Sequence, residues 1–69
     1  MKEGIYIIKY RYSDSLTKIQ VTEVTKKSIC WDNLDSGSKN IRCSKEHFEF
    51  YYTVIEMLNI TETNLKHNG

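Results

Sequence analysis

Four side chains in this sequence have the types and spacing to hold a metal ion: Cys30, Asp32, Cys43 and His47. Asp35-Ser36-Gly37 lies between two strand-like segments, 28–34 and 38–44, and reads as a hairpin turn. A turn centred on Ser36-Gly37 sets Cys30 opposite Cys43. Opposed residues have Cβ atoms about 4.5–5.5 Å apart, and two thiolates at that separation can share one zinc through bonds of about 2.3 Å. Asp32 follows Cys30 by two residues on the same face. His47 follows Cys43 just past the strand end, where a returning chain would bring its imidazole to the same point. Mixed sulfur, nitrogen and oxygen donors suit zinc better than magnesium or calcium.

Four protein ligands would make the site structural, whereas a water in one position would open a catalytic role. Glu46 and His67 are weaker candidates for the fourth place. Two other readings stand beside the zinc site. The cysteines are small apolar side chains that pack in cores, or they pair as a disulfide, which a reducing cytosol disfavours. The paired C-x-x-C knuckles typical of zinc sites are missing from the sequence.

A staple would have a purpose. The chain has 69 residues, which is one domain. A domain near 60 residues buries only about 60% of its unfolded surface. Domains of this size often add a disulfide, a metal or a partner.

The elements that must position these side chains are mostly strands. Segment 4–12 alternates, with Tyr6, Ile8, Tyr10 and Tyr12 on one face. Ser13-Asp14-Ser15 is a turn cluster. Segment 17–25 alternates through Ile19 and Val21, then Val24 breaks parity; a bulge near Thr22-Glu23 restores it. Lys26-Lys27 is a short polar turn. Ser44 can cap a helix, with Glu46 in the first turn, although His47 stands where a capping box needs Glu or Gln. Residues 45–49 are therefore read as one helical turn, and 51–58, rich in β-branched and aromatic residues, as the last strand. The alternative is a continuous helix over 45–59, giving a four-stranded sheet with a C-terminal helix. Residues 59–69 are polar and read as a tail; the sequon Asn59-Ile60-Thr61 is taken as chance. The domain is thus expected to span 1–58.

Composition narrows the function. No apolar run reaches the roughly 18 residues of a membrane span, and the N-terminal residues do not read as a signal peptide. The P-loop, G-x-G-x-x-G and H-E-x-x-H motifs are missing, and the chain is short for a substrate pocket with an orienting shell. An enzyme is not expected. Net charge is +1, split as +3 over residues 1–30 and −2 over 31–69, without the dense basic stripe of a dedicated nucleic-acid binder. The eight aromatic residues include Tyr6, Tyr10, Tyr12 and Trp31. Beside Lys9, Arg11 and Lys18 they could stack on bases, which is the alternative function. Tyr and Trp also anchor protein interfaces, and binding to another protein is the favoured reading. Asp32, Asp35, Glu46, Glu49 and Glu56 could face a basic partner.

The G-x-Y-x-I opening strand, the VTEVTKKSICW pair, the hairpin and the S-x-x-x-F before the last strand resemble the SH3-like barrels over residues 4–58. That resemblance implies a small five-stranded antiparallel barrel with one short helical turn. The Lys-, Ile-, Asn- and Tyr-rich, alanine-free composition resembles small phage-encoded proteins of low-GC bacteria. With the Cys30, Cys43, His47 constellation, the chain looks most similar to the type II-A anti-CRISPR proteins. This resemblance implies stoichiometric inhibition of a CRISPR effector nuclease in the bacterial cytoplasm, with zinc as a structural cofactor. It carries over no partner-binding residue.

Overall fold

A computed structural model describes residues 1–58. The polar tail, its sequon and His67 lie outside the described residues. Five antiparallel strands form one sheet: β1 (Gly4–Tyr10), β2 (Leu16–Val24), β3 (Ser28–Asn33), β4 (Ile41–Ser44) and β5 (Tyr52–Leu58), in the order β4-β3-β2-β1-β5. One helix, α1 (Lys45–Tyr51), joins β4 to β5. Consecutive strands pair as hairpins, and the last strand returns to the first. No helix among the described residues is long and apolar enough to cross a membrane.

Period-two alternation makes the sheet one-sided. Tyr6 and Ile8, Ile19 and Val21, and Ile29 and Trp31 are buried, and Phe48 of α1 closes over them. The bulge expected near Thr22-Glu23 is present: Val21 pairs with Trp31 and Glu23 with Cys30, leaving Thr22 as the extra residue. It turns Val24 back toward the core, where it packs half-buried. β1 and β5 carry a second shift between Ile7 and Ile8. Such shifts increase local twist and bend. Trp31 on β3 and Tyr52 on β5 sit three inter-strand steps apart, about 14 Å in a flat sheet. Their rings lie at 5.8 Å, so the sheet curls strongly about its apolar face.

The helix stops where its sequence stops favouring it. Ser44 is extended at the N-cap, and its Oγ accepts from the His47 amide at 3.0 Å. Phe48 supplies the buried anchor. At Tyr52 the backbone turns extended and joins β1, and the Arg11 amide donates to the Tyr51 carbonyl at 2.6 Å. Aromatic and β-branched residues fit this half-buried pleated surface. The continuous helix over 45–59 is therefore not formed.

The β3–β4 register differs from the expected one. Ile29 faces Cys43, and Cys30 faces Arg42. The connection is not a two-residue turn. Asn33 accepts from the Asp35 and Ser36 amides through Oδ1, at 2.9 Å each, and from the Gly37 amide through its carbonyl. The Asn33 amide then donates to Ser38 at 2.7 Å. Between Ser38 and Ile41 the chain holds one residue more than between Trp31 and Asn33. Asn40 absorbs it with left-handed backbone at φ 57°, a region Asn tolerates better than most residues.

Candidate functional site

A one-residue slip moves a strand's whole side-chain set to the other face. That slip decides the fate of the expected ligands. Cys43 stands opposite Ile29 and packs against the core, and burial pushes its thiol pKa up. Cys30 stands on the outer face. Its Sγ accepts from Arg42 Nε at 3.1 Å and lies 3.8 Å from Glu23 Oε1, while Arg42 reaches the same carboxylate at 3.3 Å. Asp32 shares the outer face, but its Oδ1 accepts from the Asn40 amide at 2.9 Å and holds the loop. His47 lies on α1 with its ring 4.5 Å from that of Tyr51. Glu46 is exposed in the first turn of α1. Cys30, Asp32, Cys43 and His47 thus do not converge, and among the described residues no group of three or more Cys, His, Asp or Glu side chains could hold a metal ion. Both cysteines are free thiols.

What the fold does assemble is aromatic. β1 ends at Tyr10, where the Ser13 amide bonds back to the Tyr10 carbonyl at 3.1 Å. The turn throws Tyr12 outward, against Tyr10 at 5.6 Å and Tyr51 at 6.2 Å between ring centroids. Tyr10 also stacks on Tyr51, nearly parallel at 6.0 Å. Phe50 meets Tyr51 edge to face at 4.8 Å. Arg11 lies between these elements: its Cζ is 4.2 Å from the Phe50 centroid and 6.0 Å from that of Tyr12. Its Nη1 donates to the Phe50 carbonyl at 3.2 Å. These rings remain in water despite their contacts, with Tyr12 67%, Phe50 50% and Tyr10 38% exposed.

The cluster continues into the open mouth of the curled sheet. Ile8, Ile19 and Trp31 are its buried floor, and Tyr10, Tyr52 and Ile41 stand around them. Thr17 and Asn33 add polar groups, and the open recess has a volume of about 430 Å³. Tyr52 meets Tyr10 at 5.5 Å and Phe48 at 5.2 Å. Burial, more than the nearby Cys43 and Tyr10, pushes its hydroxyl pKa up.

Tyr10 and Tyr12 are legible in the sequence as strand aromatics, although β1 ends before Tyr12. Phe50 carries no positive signal in the sequence. Its signal is negative: it falls out of phase with the apolar stripe of Phe48, Tyr51, Tyr52 and Ile55, which marks it as an aromatic left outside. Thr17 and Asn33 carry no such signal. They meet only because β2 and β3 pair around Ile19 and Asn33.

The assembly offers ring faces, a guanidinium fixed between two of them, and a recess with an apolar floor and a partly polar rim. It suits recognition by stacking and burial. In the comparisons with known proteins, no family model, curated protein or solved structure matches the chain.

Proposed function

We propose that this chain is a stoichiometric binding module that engages another protein through Tyr10, Arg11, Tyr12, Phe50 and Tyr51. The observation that carries this reading is the exposed aromatic cluster held in place by mutual ring contacts and by Arg11. A domain with a small core gains stability by burying aromatics, so leaving several in water points to another use. Tyr and Arg are enriched among residues that dominate binding energy. Rings already fixed in place lose little conformational freedom on association. The resemblance to type II-A anti-CRISPR proteins supplies the first partner to test, a type II CRISPR effector nuclease.

The test is affinity for that nuclease, and for other co-purifying proteins identified by mass spectrometry, with Tyr12→Ala and Phe50→Ala variants. Loss of about 2 kcal/mol per hot-spot residue weakens binding roughly 30-fold. Both positions are half or more exposed, so the melting temperature should stay nearly unchanged. Unchanged affinity in both variants would refute the assignment. Lys9 and Arg11 beside stackable rings favour a second reading, single-stranded nucleic acid. That reading requires affinity for bare strands at physiological salt and a steep fall as salt rises.

A further inference from the structure

Among the described residues, cavities open beside the buried face of the sheet. One, of about 420 Å³, lies between α1 and β5 and is lined in part by Lys45 and Glu49. Another is the mouth floored by Ile8, Ile19 and Trp31, and among the described residues no charged side chain lines it. Its volume falls within the range of small-ligand pockets, at the lower end. A charge placed there would lose part of its hydration without meeting a countercharge among the described residues. Its hydrogen-bonding capacity is neutral too. The Asn33 Oδ1 is occupied by two backbone amides, which fixes the side-chain orientation and leaves the NH₂ to donate. Thr17 adds a hydroxyl. Tyr10 and Tyr52 belong both to this recess and to the exposed aromatic cluster, so the two surfaces are continuous.

We infer that this recess is an anchor pocket that receives one uncharged apolar side chain, aromatic or branched aliphatic, from the protein partner. The inference rests on the proposal that the partner is a protein. A side chain of that class replaces water over Ile19, Ile41 and Trp31. The Asn33 NH₂ and the Thr17 hydroxyl can then meet a carbonyl of the backbone that carries it. The exposed rings and Arg11 grip the flanking surface while the pocket supplies the buried centre, the arrangement in which anchor residues contribute most.

The experiment is an amide-detected NMR titration of the intact chain with small probes: the N-acetyl amides of phenylalanine, leucine and lysine, and tetramethylammonium. The phenylalanine and leucine amides should give saturable, millimolar shifts concentrated on the Trp31 indole N–H, the Asn33 side-chain NH₂ and the Ile41 amide. The lysine amide and tetramethylammonium should bind at least tenfold more weakly. Thr17→Phe, which fills the recess, should abolish the shifts, and Thr17→Val, which keeps its shape, should retain them. If Thr17→Phe fails to fold, as seen from collapsed amide dispersion, Ile41→Trp serves as the filling variant. Scattered or unsaturable shifts, or tighter binding of the cationic probes, would overturn the inference. Partner affinity in Tyr12→Ala separates the two readings. If partner binding is lost there while the probes still saturate, both stand. If no probe saturates although Tyr12→Ala weakens the partner, the pocket falls and the surface reading stands. If the probes saturate but Tyr12→Ala and Phe50→Ala leave affinity unchanged, the surface reading falls.

Discussion

Replacing each cysteine with serine, separately, reads out the β3–β4 register. Cys43 is half-buried opposite Ile29, against the core. A hydroxyl placed there loses water with only the Phe48 amide beside it as a partner, which costs about 1–3 kcal/mol at full burial and about 1 kcal/mol for a half-buried site. In a domain of this size 1 kcal/mol lowers the melting temperature by roughly 4–8 °C. Cys30 faces outward between Arg42 and Glu23, and a serine hydroxyl can make the same two hydrogen bonds. Its replacement should stay within about 0.5 kcal/mol, a shift below roughly 4 °C. Thermal melts followed by circular dichroism, with and without EDTA, measure both. A native-state thiol-labelling rate adds a second readout, with Cys30 reacting first because Cys43 is shielded by the core and its thiolate is disfavoured there. Equal, large losses at both positions, with an EDTA-sensitive melt in the unmodified protein, would place both sulfurs on one zinc and refute the register argument.

Three further predictions follow from the same contacts. Asn40→Val should destabilise by about 1–2 kcal/mol, since φ 57° crowds a β-branched side chain; Asn40→Gly should not, and paired denaturant titrations decide it. Phe48→Ala should cost about 3–5 kcal/mol, comparable with the whole stability of a 69-residue domain, and leave a largely unfolded chain with poor amide dispersion. Stability should fall as pH rises above about 9. The unfolded chain there releases the Cys43 proton, and at higher pH the Tyr52 proton, while burial keeps both groups protonated in the folded state until their raised values are passed. Melting temperatures of Cys43→Ala between pH 7 and 10.5 should show a smaller alkaline loss.

Much of the fold is legible in residue order alone. Alternation in Tyr6-Ile7-Ile8 and Ile19-Gln20-Val21 gives strands and names their buried face, because strand side chains repeat every two residues. The parity break at Val24 marks the bulge, and Ser44 with the apolar Phe48 marks the short helix. Five strands with a helix before the last, and the pairing of β5 with β1, accord with the fold class expected of this pattern.

The candidate site was less legible, for a specific reason. Its ligand set depended on a pairing register, and register depends on how many residues a loop absorbs. The sequence marks Ser36-Gly37 as turn-forming but does not reveal that Asn33 organises the loop or that Asn40 takes left-handed backbone. That single residue separates Cys30 from Cys43 across the sheet, since side chains alternate faces. The aromatic surface likewise depends on tertiary contact. Tyr10 and Tyr12 meet Tyr51, and Phe50 joins them through Tyr51 and Arg11, only because β5 returns to pair with β1, which sets the Arg11 amide on the Tyr51 carbonyl. Local pattern determined which residues face inward; long-range pairing decided which side chains share a surface, and with it where this protein can bind.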